Sequence, residues 1–336
     1  MRRIIPIIEM KIGSTYETDV LVLELNQKFT RKSIPYVEVK ICNEGESIIA
    51  KYFDTRIENL NNRGIVQNNI IRAILNVNEY NGAKSYIVSD AWREYDSVDT
   101  DYYNRFVPRV NFNLEAAFHE LECLIFRYSS PQNGIFSPIS ALTIEVLDYY
   151  KNEFIHSAGG KSIHHARIGG LLQHSLHVTQ LVERLLICFP FIDRELVICG
   201  SALHDIGKLR AFNTMPNALV KYNEENRLLG HPMLGVEMVK EVAEKSEYPY
   251  DYERMLLLEH IIGSHHVKSN IEAITKAAIP EVHLVGMADS LDATIDTFNS
   301  SYNVMMPGEI SSKEYELRNT SIYLPKNINS SIRSVA

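Results

Sequence analysis

The sequence predicts a mixed α+β chain of more than one domain, with a small closed β-barrel first and an all-helical region after it. Three observations carry that expectation. Through about residue 95, apolar residues alternate with a period of two, the spacing of half-buried strands. From residue 113 they recur three and four apart, which is helical spacing. The chain has 336 residues, enough for two ordinary cores.

The strands come in order. Residues 17–24 alternate Thr18, Val20 and Val22 against Asp19, Leu21 and Leu23, and Thr and Val favour extended backbone. Residues 36–41 alternate as well, 43–46 form a turn and 47–53 the next strand. Residues 70–77, a turn at Asn81 and Gly82, and residues 85–89 complete a count of five. Five short strands with one irregular or helical segment at 56–68 suit an OB-fold. Leu114, Ala117, Phe118, Leu121, Leu124 and Ile125 then mark a helix, residues 129–134 break it, and 140–154 begin another. Helical patterning continues to about residue 300, with breaks at Gly159 and Gly160, Pro190 and Gly230. Residues 301–336, rich in Ser and Asn, read as a loose tail or a strand that needs a partner. The expected organisation is a barrel at 1–95, a helical connector at 96–160, a helical domain at 161–300 and a tail at 301–336.

Apolar content of 45% and charged content of 23% are those of soluble globular chains. The longest nearly uncharged apolar stretch, 185–192, is too short to span a bilayer, so no membrane partner is expected. Residues 1–6 lack a signal-peptide core and soon meet Glu9 and Lys11. Cys42, Cys123, Cys188 and Cys199 show no CxxC spacing, so a reduced, cytoplasmic setting is expected. A net charge of -8 argues against bulk electrostatic coating of nucleic acid. It leaves room for an enzyme that holds phosphates with local basic patches or metal ions.

The segment ALHDIGK at 202–208 sets His204 beside Asp205 at the end of an apolar helix. His174 precedes it, and His231, His265, His266 and Asp289 follow. Nitrogen and oxygen donors without thiolates, spread over successive helices, point to a divalent metal centre and hence to a metal-dependent hydrolase. His174 and His177 share a helical face, and Asp193 can cap the helix that leads to His204. Gly207 is expected to end that helix in a left-handed conformation. Gly263 is expected to stop a helix at 253–262, and 285–296 supply Asp289 and Asp292. Each donor also has a plainer reading. Asp292 reads more readily as a solvated helix face than as a ligand, and His260 as a packing residue. His164 and His165 either shape the entrance or serve the fold. Lys208 is either a phosphate contact or a solvated cation at a helix end.

These residues resemble a family. The order His174, His204 with Asp205, then Asp289 resembles the H…HD…D signature of HD-domain phosphohydrolases. The strings GGLLQHS at 169–175, ALHDIGK at 202–208, RLLGH at 227–231 and IGSHH at 262–266 resemble those of YhaM-like 3′–5′ exoribonucleases. Those proteins join an amino-terminal OB-fold to an HD domain. The pattern departs after the double histidine, where Val267, Lys268, Ser269 and Asn270 replace a glycine and an acidic loop. It departs again at 284–288, which lack an expected histidine; His283 lies earlier.

The resemblance implies a 3′–5′ exonuclease that hydrolyses single-stranded RNA, with single-stranded DNA as a second candidate substrate, to nucleoside 5′-monophosphates. It implies that His174, His204, Asp205 and Asp289 hold one ion. Asp205 then bridges to a second held by His231, His265 and His266. Asp205 is expected to be catalytic, joined by Lys208 if that residue, one turn beyond the dipeptide, meets a phosphate oxygen. Manganese is favoured by the resemblance, while iron, zinc and magnesium suit the same donors; one or two ions per chain are expected. Lys28, Arg31 and Lys32, in the loop after the first strand, can meet phosphates. Tyr36, Tyr52 and Phe53 can stack bases, or simply pack within the barrel. Two alternatives stay open: a phosphohydrolase of small or cyclic nucleotides, and a non-catalytic single-strand-binding module. Self-association into a homo-oligomer is compatible with the sequence.

Overall fold

In the computed structural model, the barrel forms from β1 (Ser14–Phe29), β2 (Pro35–Asn43), β3 (Glu46–Phe53), β4 (Ile70–Tyr80) and β5 (Ala83–Trp92), with α1 (Ile57–Asn62) between β3 and β4. The strands close in the order β1-β2-β3-β5-β4. All pairs are antiparallel except the short β3–β5 contact. The structure describes residues 4–80, 83–129, 137–160, 165–214, 220–246, 250–267, 273–305, 307–314, 317 and 319–326. The expected turn at Asn81 and Gly82 lies outside them, as does most of the break at 129–134.

Alternation explains the barrel's closure. Val20, Val22, Val37, Val39, Ile41, Ala73, Leu75 and Val77 point inward as one core. The opposite face of β1 is covered too: Asp19, Leu21 and Leu23 are buried. The Asp19 carboxylate is met by Arg72 at 2.9 Å and by the Tyr95 and Tyr102 hydroxyls at 3.0 and 2.5 Å. A buried carboxylate needs such partners, and these tie the segment after β5 to the barrel. Between β2 and β3, Glu44 and Gly45 both take positive φ, 47° and 84°, the backbone of a two-residue hairpin turn.

The helices are α2 (Thr100–Asn104), α3 (Leu114–Tyr128), α4 (Pro138–Tyr149), α5 (Lys151–His156), α6 (Gly170–Leu185), α7 (Arg194–Leu203), α8 (Lys208–Ala211), α9 (Glu224–Leu228), α10 (Gly230–Ala243), α11 (Tyr252–Ser264) and α12 (Pro280–Val304). A small hairpin of β6 (Phe212–Thr214) and β7 (Val220–Tyr222) lies between α8 and α9. Asn113, Asp193 and Asp251 cap α3, α7 and α11 through side-chain oxygens, relieving amide groups that the helix leaves unpaired. One apolar core joins α3, α4, α6, α7, α10, α11 and the first half of α12. The chain divides into two compact units, residues 1–109 with 297–336, and residues 110–296.

The last stretch differs from the tail read in the sequence. β8 (Ile310–Glu314) and β9 (Thr320–Tyr323) pair with each other. Ile322, Leu324 and Met305 bury themselves with Phe298 and Tyr302. These few apolar residues, spaced among Ser and Asn, pack β9 and the residue after it against the last turns of α12. Among the described residues, no helix is long and apolar enough to cross a membrane.

Candidate metal centre

Five elements of the helical unit bring the donors together. α6 carries His174 one turn inside its amino end, 1% exposed, on the face that buries Leu171, Leu172 and Val178. α7 ends at Leu203, and a tight turn then presents His204 and Asp205, both buried. Gly207 in that turn is not left-handed; its φ is -63°. The glycine serves a close approach instead, since a Cβ there would lie 1.9 Å from the His231 carbonyl oxygen and 2.4 Å from the Gly235 nitrogen. Only a bare Cα lets α10 bring His231 so near. α11 runs through Gly263 rather than stopping at it, and His265 follows the last residue of the helix. α12 supplies Asp289 and Asp292, and Gly286 on it leaves room for the His265 carbonyl, 2.1 Å from where a Cβ would be.

The donor atoms converge. His174 Nε2 lies 3.2 Å from Asp205 Oδ2, 3.2 Å from Asp289 Oδ1 and 3.2 Å from His204 Nε2. His231 Nε2 lies 3.2 Å from Asp205 Oδ1 and 3.0 Å from His266 Nε2, and His265 Nε2 lies 3.7 Å from Asp205 Oδ1. Asp205 therefore turns one carboxylate oxygen to each group. The remaining ring atoms fix the tautomers. His204 Nδ1–H donates to the Ser201 carbonyl and His265 Nδ1–H to the Ile262 carbonyl, each at 2.8 Å. A carbonyl only accepts, so in the neutral rings Nε2 carries the lone pair.

That arrangement tests whether a metal ion fits. The His265 Nε2 atom is buried without a hydrogen-bond partner, and Asp205 Oδ2 is buried without a well-aligned one. A proton on His174 Nε2 faces three acceptors but satisfies only one. A divalent cation satisfies them together, and the donors suit it: imidazole nitrogens backed by carbonyls, with carboxylate oxygens. The sets His174, His204, Asp289 and His231, His265, His266 each have ligand atoms close enough to share an ion.

Electrostatics agrees. Burial pushes the His174 imidazole down, but its hydrogen bonds to the Asp205, Asp289 and Asp292 carboxylates outweigh it and hold the ring's pKa well above the ordinary value. Burial pushes the Asp205 and Asp289 carboxyls up, and their neighbours outweigh it, the Lys208 ammonium and the adjoining imidazoles for Asp205 and the His174 ring for Asp289; both stay far below the usual carboxylate range. The His265 ring goes the other way, lowered first by burial and then by its histidine neighbours. The centre thus holds ionised carboxylates opposite the bare Nε2 of His265 and a proton on His174 that a cation would displace.

The surrounding residues sort differently from the plainer sequence readings. Lys208 is 9% exposed rather than solvated, its Nζ 2.6 Å from Asp205 Oδ2 and 2.7 Å from the Gly159 carbonyl oxygen. Asp292 is no solvated face. It is 8% exposed and accepts from three imidazoles. The signal for it was available, because residues 289 and 292 share one face of a helix. His165 is buried against Asp292 and Asp296, whereas His164 lies outside the described residues. His260 accepts from the Ala278 amide, away from the centre, and His283 is exposed. Of the unusual segment after the double histidine, Lys268, Ser269 and Asn270 also lie outside the described residues.

The barrel's candidates form a row. Lys28 pairs with Tyr36, and Tyr36 with Phe53, across three neighbouring strands. Directly opposed residues share a face, and the Tyr36 and Phe53 rings are 5.4 Å apart. Lys28 sits within β1 rather than in the loop, because pairing with β2 extends to Phe29 and Pro35. Arg31 and Lys32 occupy the exposed turn that follows. Tyr52 stands apart from the row, its hydroxyl tied to Arg63 and Asp90.

Comparison with known proteins completes the description. A family model for the HD domain matches residues 171–294, the stretch from α6 to α12 that holds every donor of the centre. The chain is 24% identical over 319 residues to the 3′-5′ exoribonuclease YhaM of Listeria welshimeri, covering 95% of this chain and 98% of that protein. It is 23% identical to the protein of the same name from Listeria monocytogenes, with the same coverage. No solved structure gives a significant match. The chain thus combines a five-stranded, OB-like barrel with an HD domain.

Proposed function

We propose that this protein is a metal-dependent 3′–5′ exoribonuclease that releases nucleoside 5′-monophosphates from single-stranded RNA. The observation that carries the reading is the meeting of His174, His204, Asp205 and Asp289 around one point, with the Nε2 atoms of the two buried imidazoles turned inward. The curated relatives carry that activity in their names over almost the same length.

In this reading His174, His204, Asp205 and Asp289 hold one divalent ion, and Asp205 with His231, His265 and His266 a second. Such ions, when bound, acidify the attacking water and neutralise charge on the phosphate. The chain's own residues do the rest. Asp205 keeps its two oxygens apart between the two groups, and Lys208 holds that carboxylate in place while adding positive charge beside the phosphate. Water adds to phosphorus at the 3′-terminal linkage, the 3′ oxygen of the preceding nucleotide leaves, and a monophosphate is released. Manganese is the ion we expect; iron, zinc and magnesium suit the same set. On the barrel, Lys28, Arg31 and Lys32 meet phosphates while Tyr36 and Phe53 stack bases.

The direct test uses single-stranded RNA labelled at either end, with and without manganese. Immediate appearance of mononucleotide from the 3′ label, dependent on the metal, is expected. Internal cuts, or release that begins at the 5′ end, would contradict the assignment.

Metal binding should also depend on pH in a definite direction. His174 must give up its Nε2 proton to ligate, and its pKa is raised. In the metal-free protein that proton stabilises the fold below the ordinary histidine pKa of about 6.5, and the contribution fades as pH rises through the raised value. Affinity for the first ion should therefore climb about tenfold per pH unit up to that value and then level off. Calorimetry in buffers of different ionisation enthalpy should find about one proton released. An affinity flat with pH and no proton release would show that the ion displaces no proton from His174.

A further inference from the structure

Behind His174, on the side away from the converging donors, lies a chain of polar contacts, buried at its centre and reaching half-exposed His177 and Arg167 at its ends, that no function yet claims. Asp292 Oδ2 accepts from His165 Nε2 at 2.6 Å and from His174 Nδ1 at 2.7 Å, and its Oδ1 accepts from His177 Nδ1 at 3.0 Å. His165 is itself fixed. Its backbone amide donates to Asp296 Oδ2 at 2.7 Å, and Arg167 Nη2 sits 2.5 Å from Asp296 Oδ1. Asp292 and Asp296 lie one turn apart on α12, so one helix anchors both ends of the relay. His165 and His174 are about 1% exposed, Asp292 8% and Asp296 7%.

Three imidazoles on one buried carboxylate is a costly arrangement if it serves packing alone, because the charge must leave water. A single acceptor would have satisfied His174. What the carboxylate adds is direction: Nδ1–H of His174 is committed to Asp292, so Nε2 must be the atom turned toward Asp205, Asp289 and His204. A carboxylate behind a histidine also raises its strength as a ligand. Among the described residues, the imidazoles that donate to this carboxylate are those of His165, His174 and His177, on the side of the first group.

Resting on the proposed metal centre, we infer that Asp292 is the positioning residue for one ion and not the other, aiming His174 through a relay that runs from Arg167 by Asp296 and His165. It meets the Nδ1 side of His174, opposite the Nε2 atom that faces Asp205, Asp289 and His204, and so acts through that ring. The relay therefore sets the affinity of the site built on His174 and leaves the site built on His266 alone.

The test is a metal titration of full-length, metal-stripped protein with manganese, read by the electron paramagnetic signal of the free ion. His174→Ala and His266→Ala first assign each binding step to its group. In Asp292→Asn, which keeps the shape but loses the charge and one acceptor, the step lost in His174→Ala should weaken 10- to 100-fold, the range for such outer partners. The step lost in His266→Ala should stay unchanged. Melting of the same variants without metal provides the second readout. A purely structural Asp292 would lower metal-free stability and weaken both steps or neither, and either pattern overturns the inference. A wild-type protein that takes up no ion overturns the metal centre itself, a result distinct from wild-type binding that Asp292→Asn leaves intact.

Discussion

Asp205→Asn should leave the protein folded and reduce RNA hydrolysis by about 10³-fold or more, because ions at such a centre supply several kcal/mol of charge stabilisation and each ~1.4 kcal/mol is a factor of ten. The residue is the one donor that faces both groups, with Oδ2 toward His174 and Oδ1 toward His231 and His265. Replacing one oxygen by an amide removes a ligand from one group and the charge from both. The substitution is chosen over alanine for a structural reason. Lys208 is buried against Asp205, and removing the partner of a buried cation destabilises strongly; the asparagine oxygen can still accept from it. Circular dichroism and initial rates on the same preparation check the expectation. Turnover near the wild-type rate, in folded protein, would remove Asp205 from the chemistry.

The second large effect is expected on the barrel. Tyr36→Ala with Phe53→Ala should raise KM for a long single strand about tenfold or more, since alanine in place of a stacked aromatic costs about 1–3 kcal/mol per base. Hydrolysis of a small p-nitrophenyl phosphodiester by the same variant should be unaffected, because that substrate has no strand for the row to hold. Both rings lie on the barrel's outer face beside Lys28, and Phe53 is 38% exposed, so their removal leaves the interior core intact. An unchanged KM would return the two aromatics to the role of mutual packing. Equal losses on both substrates would mean the variant damages the fold.

The barrel was legible because its signals are local. Alternation at 36–41, the Glu44 and Gly45 turn and the apolar runs at 70–77 and 85–89 each specify a strand or a turn without help from distant residues. The strands proved longer than the alternation suggested. β1 runs from Ser14 to Phe29 because pairing with β2 and β4 continues past the apolar stretch, and no periodicity reports hydrogen bonds made elsewhere. Donors such as His174, His204 and Asp289 could be named from residue type and order, since metal chemistry restricts the set.

What sequence could not convey was contact across the helical unit. Gly207 and Gly263 were read by the habit of glycines at helix ends, while their use here is clearance, against the His231 carbonyl in one case and Ile274 in the other. Asp292 looked like a solvated face because its three partners come from residues 165, 174 and 177, more than a hundred positions away. Lys208 has the sequence signature of a helix-end cation because its bond to the Gly159 carbonyl spans 49 positions. The hairpin at 310–323 depended on a handful of apolar residues finding one another.

Crystals of the protein soaked in manganese, with diffraction recorded at the manganese absorption edge, would test the account most directly. An anomalous peak is expected within coordination distance of His174, His204, Asp205 and Asp289, joined at sufficient manganese by another beside His231, His265 and His266. Ordered side chains with no anomalous density among them, at a manganese concentration that supports hydrolysis, would contradict it.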